Sequence, residues 1–234
     1  MDAIPSRPRA VVLLSGGMDS CVCAALAARA YQPAFLHVDY GQRTEARERS
    51  AFEAIARHYG VEQALTVRND ALAQIGGSAL TDLRLAMPVE GLQPGIPITY
   101  VPFRNAHFLA AAVSWAEVLG AAAVLIGAVE PDSSGYPDCR PEYYRIFNQL
   151  IAAGTAAGGI RVETPLIAMR KAEIVRLGID LGAPFHLSWS CYQNSTAACG
   201  ECDSCRLRLA AFAAAGATDP IPYQTSTLVR SQEA

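Results

Sequence analysis

The fold is decided by AVVLLSGGMDSCVCAALAARA, residues 10–30 of the chain. A short apolar run rich in β-branched residues predicts a strand over 10–14, and helical spacing begins at Met18 and continues to about residue 30. Two glycines lie between these elements and allow the chain to turn sharply. The segment is therefore predicted to form a strand, a tight turn and a helix.

The same unit recurs along the chain, because further apolar runs alternate with stretches of helical spacing. Strands are predicted over 34–38, 61–67, 123–126 and 161–164, and helices over 44–58, 105–119 and 141–153. Strands that alternate with helices of this length indicate βαβ units. We therefore expect an α/β fold with an open, doubly wound and mostly parallel sheet. Ligands of such sheets bind beyond the carboxyl ends of the strands, where the strand order reverses.

The composition of the 234 residues excludes several classes of protein. Hydrophobic residues make up 51%, so the chain can bury a core and is not a disordered tail. Lysine and arginine number 19 against 22 aspartates and glutamates, which argues against binding of nucleic acid through phosphate neutralisation alone. The most apolar stretch, 106–129, is interrupted by His107, Ser114 and Glu117, so no membrane span is expected. We expect a cytoplasmic protein.

The glycine turn after the first strand has the features of a phosphate-binding loop. Unpaired amide groups and the positive end of the helix dipole favour an anion at a helix N-terminus, and glycines let phosphate oxygens approach the backbone. Asp19, in the first helical turn, could hold Mg2+ beside a pyrophosphate. The predicted nucleotide-binding residues are Leu14, Ser15, Gly16, Gly17, Met18, Asp19, Ser20 and Cys21. The pattern is not a Walker A loop, and its alternative interpretation is a plain turn capped by serine and aspartate.

Four cysteines near the C-terminus predict a metal site. They are Cys191, Cys199, Cys202 and Cys205, separated by seven, two and two residues, a spacing that lets thiolates converge on one ion. A zinc ion is one occupant of this pattern, and an iron–sulfur cluster is its main rival. The composition changes at Ser188, so we predict a nucleotide-binding domain over 1–187 and a small metal-stapled lobe with a tail over 188–234. Residues 69–97 are rich in glycine and proline and are predicted to form a lid or a loop that extends to an interface.

The turn sequence SGGMDS, residues 15–20, resembles the PP-loop of ATP pyrophosphatases, which release pyrophosphate and leave AMP on a substrate oxygen. The strand that ends in HVDYGQ, residues 37–42, is similar to the segment that borders the adenine in that group. The likeness implies that His37 and Asp39 contact the nucleotide. Lys171 in MRKAEIV resembles a lysine that contacts phosphate, and its alternative interpretation is a solvated charge at a helix start.

Two more segments, together with the terminal cysteines, narrow the resemblance: YVPFRN at 100–105 and EPDSSGYPDCR at 130–140. With the turn, they are similar to the 7-cyano-7-deazaguanine synthase family of PP-loop enzymes, and the match extends from residue 10 to about 215. The resemblance implies a homodimeric ligase that uses ATP and Mg2+, and it favours Zn2+ at the cysteines. It also implies that 7-carboxy-7-deazaguanine and ammonia become the nitrile through adenylated carboxylate and amide intermediates. Phe103 departs from the family, where a small residue, often glycine, is expected.

Roles for single residues follow from the resemblance and from their places in the predicted elements. Asp19, Ser20 and Lys171 are the predicted catalytic residues, acting through positioning and charge stabilisation around the phosphates. The predicted substrate-binding residues are Arg104, Asn105, Asp132, Tyr136 and Asp138. Loop carboxylates can accept hydrogen bonds from a guanine-like ring, although such residues also form ordinary turns, and Asn105 could equally be the N-cap of its helix. No general base is assigned.

Two other functions fit part of the sequence. A PP-loop ligase or thiolase that modifies tRNA would share the turn, and a zinc-stapled module that binds nucleic acid would share the cysteines. The acidic balance and the lack of a basic stripe in the sequence disfavour both. We therefore expect small-molecule substrates, with no nucleic acid or membrane as partner.

Overall fold

The structure is a computed structural model, and it describes residues 7–88, 95–131 and 135–224. Within these ranges, five parallel strands form one sheet in the order β3-β2-β1-β4-β5. The strands are β1 (Arg9–Leu13), β2 (Gln32–Asp39), β3 (Ala64–Arg68), β4 (Ala123–Ile126) and β5 (Arg161–Glu163). The strand order reverses between β1 and β4, which confirms the predicted doubly wound α/β fold.

Seven α-helices connect and flank the strands in the described part of the chain. They are α1 (Met18–Ala30), α2 (Glu45–His58), α3 (Asp70–Ile75), α4 (Arg104–Leu119), α5 (Pro141–Gly154), α6 (Lys171–Leu181) and α7 (Asp203–Ala215). Short 3-10 turns cover Pro137–Cys139 and Phe185–Leu187. Helices α1 and α2 pack on one face of the sheet, and α4 and α5 pack on the other. None of the described helices has the length and apolar character needed to span a membrane.

Strand β1 is buried on both faces, which explains its continuous apolar sequence. Val11 and Leu13 belong to the cluster that includes Leu109 of α4, whereas Val12 belongs to the cluster that includes Phe52 of α2. The strand pairs with β2 on one side and with β4 on the other. The turn that follows β1 is therefore held at the centre of the sheet, at the crevice where the strand order reverses.

The predicted boundaries of strands and helices agree with the structure to within three residues. Helix α1 and strand β4 have the predicted bounds. Strand β3 begins at Ala64, because residues 61–63 complete the turn that follows α2. Helix α3 lies in the stretch from 69 to 97, and its Leu72 packs with Tyr40 and Val101. The lid or interface role of that stretch stays a prediction.

The C-terminal segment packs closely against the rest of the chain. Phe212 of α7 lies in one apolar cluster with Met18 of α1 and Ile174 of α6. Arg208 of α7 is 1% exposed and donates a hydrogen bond to Asp219 over 2.7 Å. An arginine this deeply buried is stable only where its charge is paired, so this ion pair holds the residues that follow α7 against that helix. The predicted domain boundary in front of this segment stays a prediction.

Candidate active site

The glycine turn lies between β1 and α1, and it folds around a small hydrogen-bond network. The Gly17 amide donates to Ser15 Oγ over 3.2 Å, and Ser20 Oγ donates to the Gly17 carbonyl over 3.0 Å. Gly16 has a φ of 86°, and a Cβ there would lie 2.7 Å from the carbonyl oxygen of Glu48. A residue with a side chain is therefore excluded at Gly16. The turn presents the N-terminus of α1, whose first amides have no partner within the helix, to the crevice.

Asp19 and Lys171 form an ion pair at the mouth of this turn. Lys171, the first residue of α6, places its Nζ 2.5 Å from Asp19 Oδ2. The second oxygen, Asp19 Oδ1, is buried and has no hydrogen-bond partner among the described residues. A buried carboxylate oxygen without a partner is costly unless a ligand satisfies it, and Mg2+ prefers such oxygens. The donor set at Asp19 therefore fits the predicted magnesium site.

A cavity of about 290 Å³ opens beside the turn. It is lined by residues that follow the carboxyl ends of β1, β2 and β4, as expected for a ligand site at the strand reversal. Of the predicted site residues, those that line it are Leu14, Ser15, Gly17, Met18, Asp19, Ser20, Arg104, Asn105, Tyr136 and Lys171. The structure thus brings together residues that are separated by more than 150 positions in the sequence.

Arg104 supplies a positive charge to the cavity. Its guanidinium carbon lies 5.6 Å from the ring centroid of Tyr40, 5.7 Å from that of Phe108 and 5.8 Å from that of Tyr136. Arg104 Nη1 also donates to Tyr40 Oη over 3.2 Å. Burial raises the pKa of Tyr40 to about 12, so the phenol remains neutral at physiological pH and does not neutralise the arginine. A guanidinium held among aromatic rings in this way is suited to bind a planar carboxylate or a phosphate.

Asp138 accepts a hydrogen bond from the first turn of helix α4. Its carboxylate is buried, and Oδ2 accepts a hydrogen bond from the Asn105 amide over 3.1 Å. The Asn105 side chain donates to the Asp138 carbonyl over 3.0 Å, and Tyr144 Oη donates to the same carbonyl over 2.9 Å. Phe103 occupies the N-cap position of α4, so the alternative that Asn105 is the N-cap is wrong. Asp138 itself does not line the cavity, and Asp132 lies outside the described residues; their contact with a purine stays a prediction.

Four predicted nucleotide-binding residues do not line the cavity: Gly16, which lies within the turn, and Cys21, His37 and Asp39, which lie beneath it. His37 Nδ1 lies 3.0 Å from the Leu14 carbonyl, and its Nε2 lies 3.2 Å from Asp39 Oδ1. Arg49 of α2 pairs with the other oxygen of Asp39. Cys21 packs in the apolar core. These contacts support the turn from below, and direct contact of the four residues with a nucleotide stays a prediction.

The structure adds cavity residues that the sequence patterns do not single out. Glu48 accepts hydrogen bonds from Thr44 Oγ1 over 2.8 Å and from Gln42 Nε2 over 3.2 Å, and burial raises its pKa. Gly127, directly after β4, lies so close to α1 that a Cβ would meet the backbone of Asp19 at 2.9 Å. The available signal for Gly127 was its position directly after a central strand, whereas Glu48 lies in the first turn of α2 and had no such signal.

The four cysteines predicted to bind metal converge in the structure. The sulfur atoms of Cys191, Cys199, Cys202 and Cys205 all lie within 4.8 Å of one another. Tetrahedral zinc with Zn–S bonds of about 2.3 Å requires sulfur atoms about 3.8 Å apart, whereas an iron–sulfur cluster spreads its ligands over several irons. Backbone amides of residues 193, 194 and 199 donate to Cys191 Sγ over 3.3 to 3.4 Å, which stabilises a thiolate. The set therefore fits a single zinc ion.

Phe103 has a left-handed backbone, with a φ of 58°. Glycine adopts this conformation without strain, which is the physical reason for the small residue expected at this position. The Phe103 side chain is exposed and lies edge-on to Tyr143, with ring centroids 6.4 Å apart, outside the cavity described above. The departure from the family pattern therefore changes an outer surface next to α5.

The fold and the cavity together define a class of protein. A doubly wound sheet ends its first strand in a glycine turn at the strand reversal, and an aspartate and a lysine meet there. These are the features of an α/β protein of the PP-loop class.

Comparisons with known proteins identify the family to which the chain belongs. The family model described as "Queuosine biosynthesis protein QueC" matches residues 9–216. The 7-cyano-7-deazaguanine synthase of Acidobacterium capsulatum is 62% identical over 224 residues, which cover 94% of this chain and 98% of that protein. The enzyme of the same name from Koribacter versatilis is 61% identical over 220 residues, which cover 92% and 93%. The predicted family is confirmed.

Among solved structures, the NMN synthetase of Francisella tularensis is similar with a TM-score of 0.42 and 16% identity, covering 77% of this chain and 63% of that one.

Proposed function

We propose that this chain uses ATP to convert 7-carboxy-7-deazaguanine and ammonia to 7-cyano-7-deazaguanine, releasing AMP and pyrophosphate in each of two rounds. The observation that carries the proposal is the joint lining of one cavity by the glycine turn, the Asp19–Lys171 pair and Arg104. Relatives that share more than 60% of their residues with the chain have the name of that activity.

In the first round, a substrate carboxylate oxygen attacks the α-phosphorus of ATP, and the bond to the β-phosphate breaks. Ammonia then attacks the carbonyl carbon, loses protons, and AMP leaves with the former carboxylate oxygen. In the second round the amide oxygen attacks another α-phosphorus. Loss of the two remaining N–H protons and departure of AMP then leave the nitrile. Both rounds consist of the same attack of an oxygen on the same phosphorus, so one cavity can serve for both.

The chain contributes positioning and charge. The amides at the start of α1 and the hydroxyls of Ser15 and Ser20 face the departing pyrophosphate, and Lys171 stabilises its negative charge. Arg104 orients the substrate carboxylate against the nucleotide. Mg2+, which Asp19 would hold, offsets the negative charge of the polyphosphate when it is bound.

The zinc ion has a structural role, because a shell of four thiolates leaves no open position for substrate.

We also propose that the enzyme is cytoplasmic and forms a homodimer. Three exposed apolar side chains support the dimer: Phe103, Ile146 and Leu150 lie on one groove between α4 and α5. Light scattering of the purified protein measures its mass and tests this point.

The decisive experiment incubates the protein with ATP, Mg2+, ammonium and 7-carboxy-7-deazaguanine and follows amide and nitrile by mass spectrometry. We expect both products, with one AMP for the amide and two for the nitrile. Asp19→Asn keeps the size of the side chain and should abolish AMP formation while circular dichroism stays unchanged. If ATP yields AMP with another acceptor but neither amide nor nitrile forms, the proposed substrate is wrong.

A further inference from the structure

A main-chain hydrogen bond joins the cysteine site to the phosphate-binding turn. The amide of Trp189 donates to the carbonyl of Gly16 over 2.8 Å. Trp189 precedes the first metal ligand, Cys191, by two positions. The two residues that share this bond are 173 positions apart in the sequence, and one of them lies within the predicted nucleotide site.

This bond determines the orientation of the peptide group between Gly16 and Gly17. In a trans peptide the N–H points opposite to the C=O, so a carbonyl directed at Trp189 aims the Gly17 N–H to the other side. There it meets Ser15 Oγ over 3.2 Å, on the inner side of the turn. Gly16 has no side chain and can adopt several backbone conformations at little cost. In the structure its φ is 86°. The hydrogen bond from the Trp189 amide selects one of these conformations.

Trp189 is in turn fixed by the cysteine site. Its indole is 1% exposed and packs in one cluster with the metal-binding cysteines and with Ala51 of α2. The indole Nε1 donates to the Asn194 carbonyl over 3.1 Å, and the Asn194 amide donates to Cys191 Sγ over 3.3 Å. A short chain of hydrogen bonds thus leads from a metal-binding sulfur to the tryptophan whose amide holds the turn.

Helix α2 closes the other side of Trp189. The guanidinium carbon of Arg47 lies 4.3 Å from the indole centroid. Glu48 and Ala51 of the same helix would lie within 3 Å of a Cβ at Gly16. The turn therefore lies between α2 and the cysteine site, with Trp189 bonded to it and packed against both.

We propose that Trp189 is a positioning residue that couples metal binding at the four cysteines to nucleotide binding at the turn. This inference rests on the proposed function in one respect, that the turn binds the phosphates of ATP. Coupling between two sites is reciprocal: if bound metal tightens ATP binding by some factor, ATP tightens metal binding by the same factor. Loss of one hydrogen bond of ordinary strength predicts a factor on the order of five.

The first test uses the wild-type protein and needs no turnover. A chromogenic chelator competes for zinc, with and without a saturating ATP analogue that cannot be cleaved between the α- and β-phosphates. We expect the analogue to raise the zinc affinity about fivefold. Titration of the analogue into zinc-loaded and zinc-depleted protein should show the same factor in its Kd. A zinc affinity that is independent of the analogue would overturn the coupling.

The second test leaves the metal in place. Replacing Trp189 by its α-hydroxy acid through suppression of a nonsense codon converts the amide to an ester, which removes the N–H donor and keeps the indole side chain. We expect one zinc per chain, unchanged tryptophan fluorescence, a Kd and KM for ATP raised about fivefold, and an unchanged KM for the carboxylate substrate. The same replacement at Trp115, in α4, removes a backbone donor away from the turn and serves as the matched control.

The outcomes separate the two proposals. If the wild-type protein binds no ATP analogue, whether it is loaded with zinc or depleted of zinc, the proposed function fails. If the analogue binds wild-type and the Trp189 ester equally well, the turn does not depend on this bond and the coupling fails, while the proposed function stands. If both esters weaken ATP binding to the same extent, the effect is general destabilisation and the positioning role is refuted.

Discussion

Gly127→Ala is the substitution that most directly tests how α1 must lie against the sheet. Gly127 follows β4, and an added Cβ would lie 2.9 Å from the Asp19 carbonyl carbon, 3.0 Å from the Asp19 oxygen and 3.0 Å from the Ser20 nitrogen. All three are backbone atoms in the first turn of α1, and ordinary contact requires at least 3.4 Å. Helix and strand must therefore separate by about half an ångström, since repulsion rises steeply below contact distance.

The expected cost has two parts. Overpacking of this kind destabilises a fold by about 1 to 3 kcal/mol, measured as the free energy of unfolding in urea. The displacement also moves the amides of the first helical turn away from the phosphates. Since a shift of 1 Å can reduce the rate about a hundredfold, half of that predicts a loss of about tenfold in kcat/KM for ATP.

Gly154→Ala is the matched control, because it is the same substitution at a position where no described atom outside the neighbouring residues and the backbone of its own helix lies within 4 Å of the added Cβ. Gly154 ends α5, so alanine there should leave stability unchanged or raise it by up to about 1 kcal/mol. Both variants are unfolded in urea and assayed for ATP dependence. If Gly127→Ala matches the wild type in both measurements, the close approach of β4 to α1 does not exist in solution.

Three further predictions follow from the site. Arg104→Lys keeps the charge but loses the planar guanidinium, so KM for the carboxylate substrate should rise at least tenfold with little change in KM for ATP; equal changes in both would contradict its assignment to the substrate. Cys202→Ser should reduce bound zinc well below one per chain and lower the melting temperature, whereas Cys139→Ser should retain the full metal content, as measured by atomic absorption. Burial raises the pKa of Glu48 in the folded state. Between the ordinary and the raised pKa, the folded protein therefore binds more protons than the unfolded protein. The free energy of unfolding falls as pH rises through that window. Glu48→Gln should remove this fall in urea unfolding curves measured from pH 4 upward, and an unchanged slope would refute the buried position of the carboxylate.

The α/β fold could be predicted because each of its central elements has an unambiguous local pattern. Strand β1 is buried on both faces and therefore reads as an uninterrupted apolar run, and the glycines after it leave a tight turn as the simplest connection to α1. The cysteine site could be predicted for a similar reason, since three of its ligands lie within seven residues of one another. In both cases the decisive residues are close in the sequence.

Other parts of the site could not be predicted, because they depend on contacts between distant backbones. The position of Gly127 after β4 suggests that it lies near the site, but only the packing of β4 against α1 shows that a side chain is excluded there. The bond between Trp189 and Gly16 uses main-chain atoms that every residue except proline could supply. Asp138 depends on such contacts too: its Oδ2 accepts a hydrogen bond from the Asn105 backbone amide, whereas its Oδ1 is buried with no hydrogen-bond partner among the described residues, and its contact with a purine stays a prediction.

The Asp19–Lys171 pair is suited to the polyphosphate that we propose for the cavity. In the structure, Lys171 Nζ lies 2.5 Å from Asp19 Oδ2, so each charge is paired in a partly buried place. When phosphate oxygens enter, the flexible Lys171 side chain can exchange Asp19 for phosphate, since it is a mobile point charge on a four-carbon stem. Asp19 would then offer two carboxylate oxygens, one of which already lacks a partner, to a divalent cation. The exchange keeps every charge compensated, and neither residue alone could achieve this.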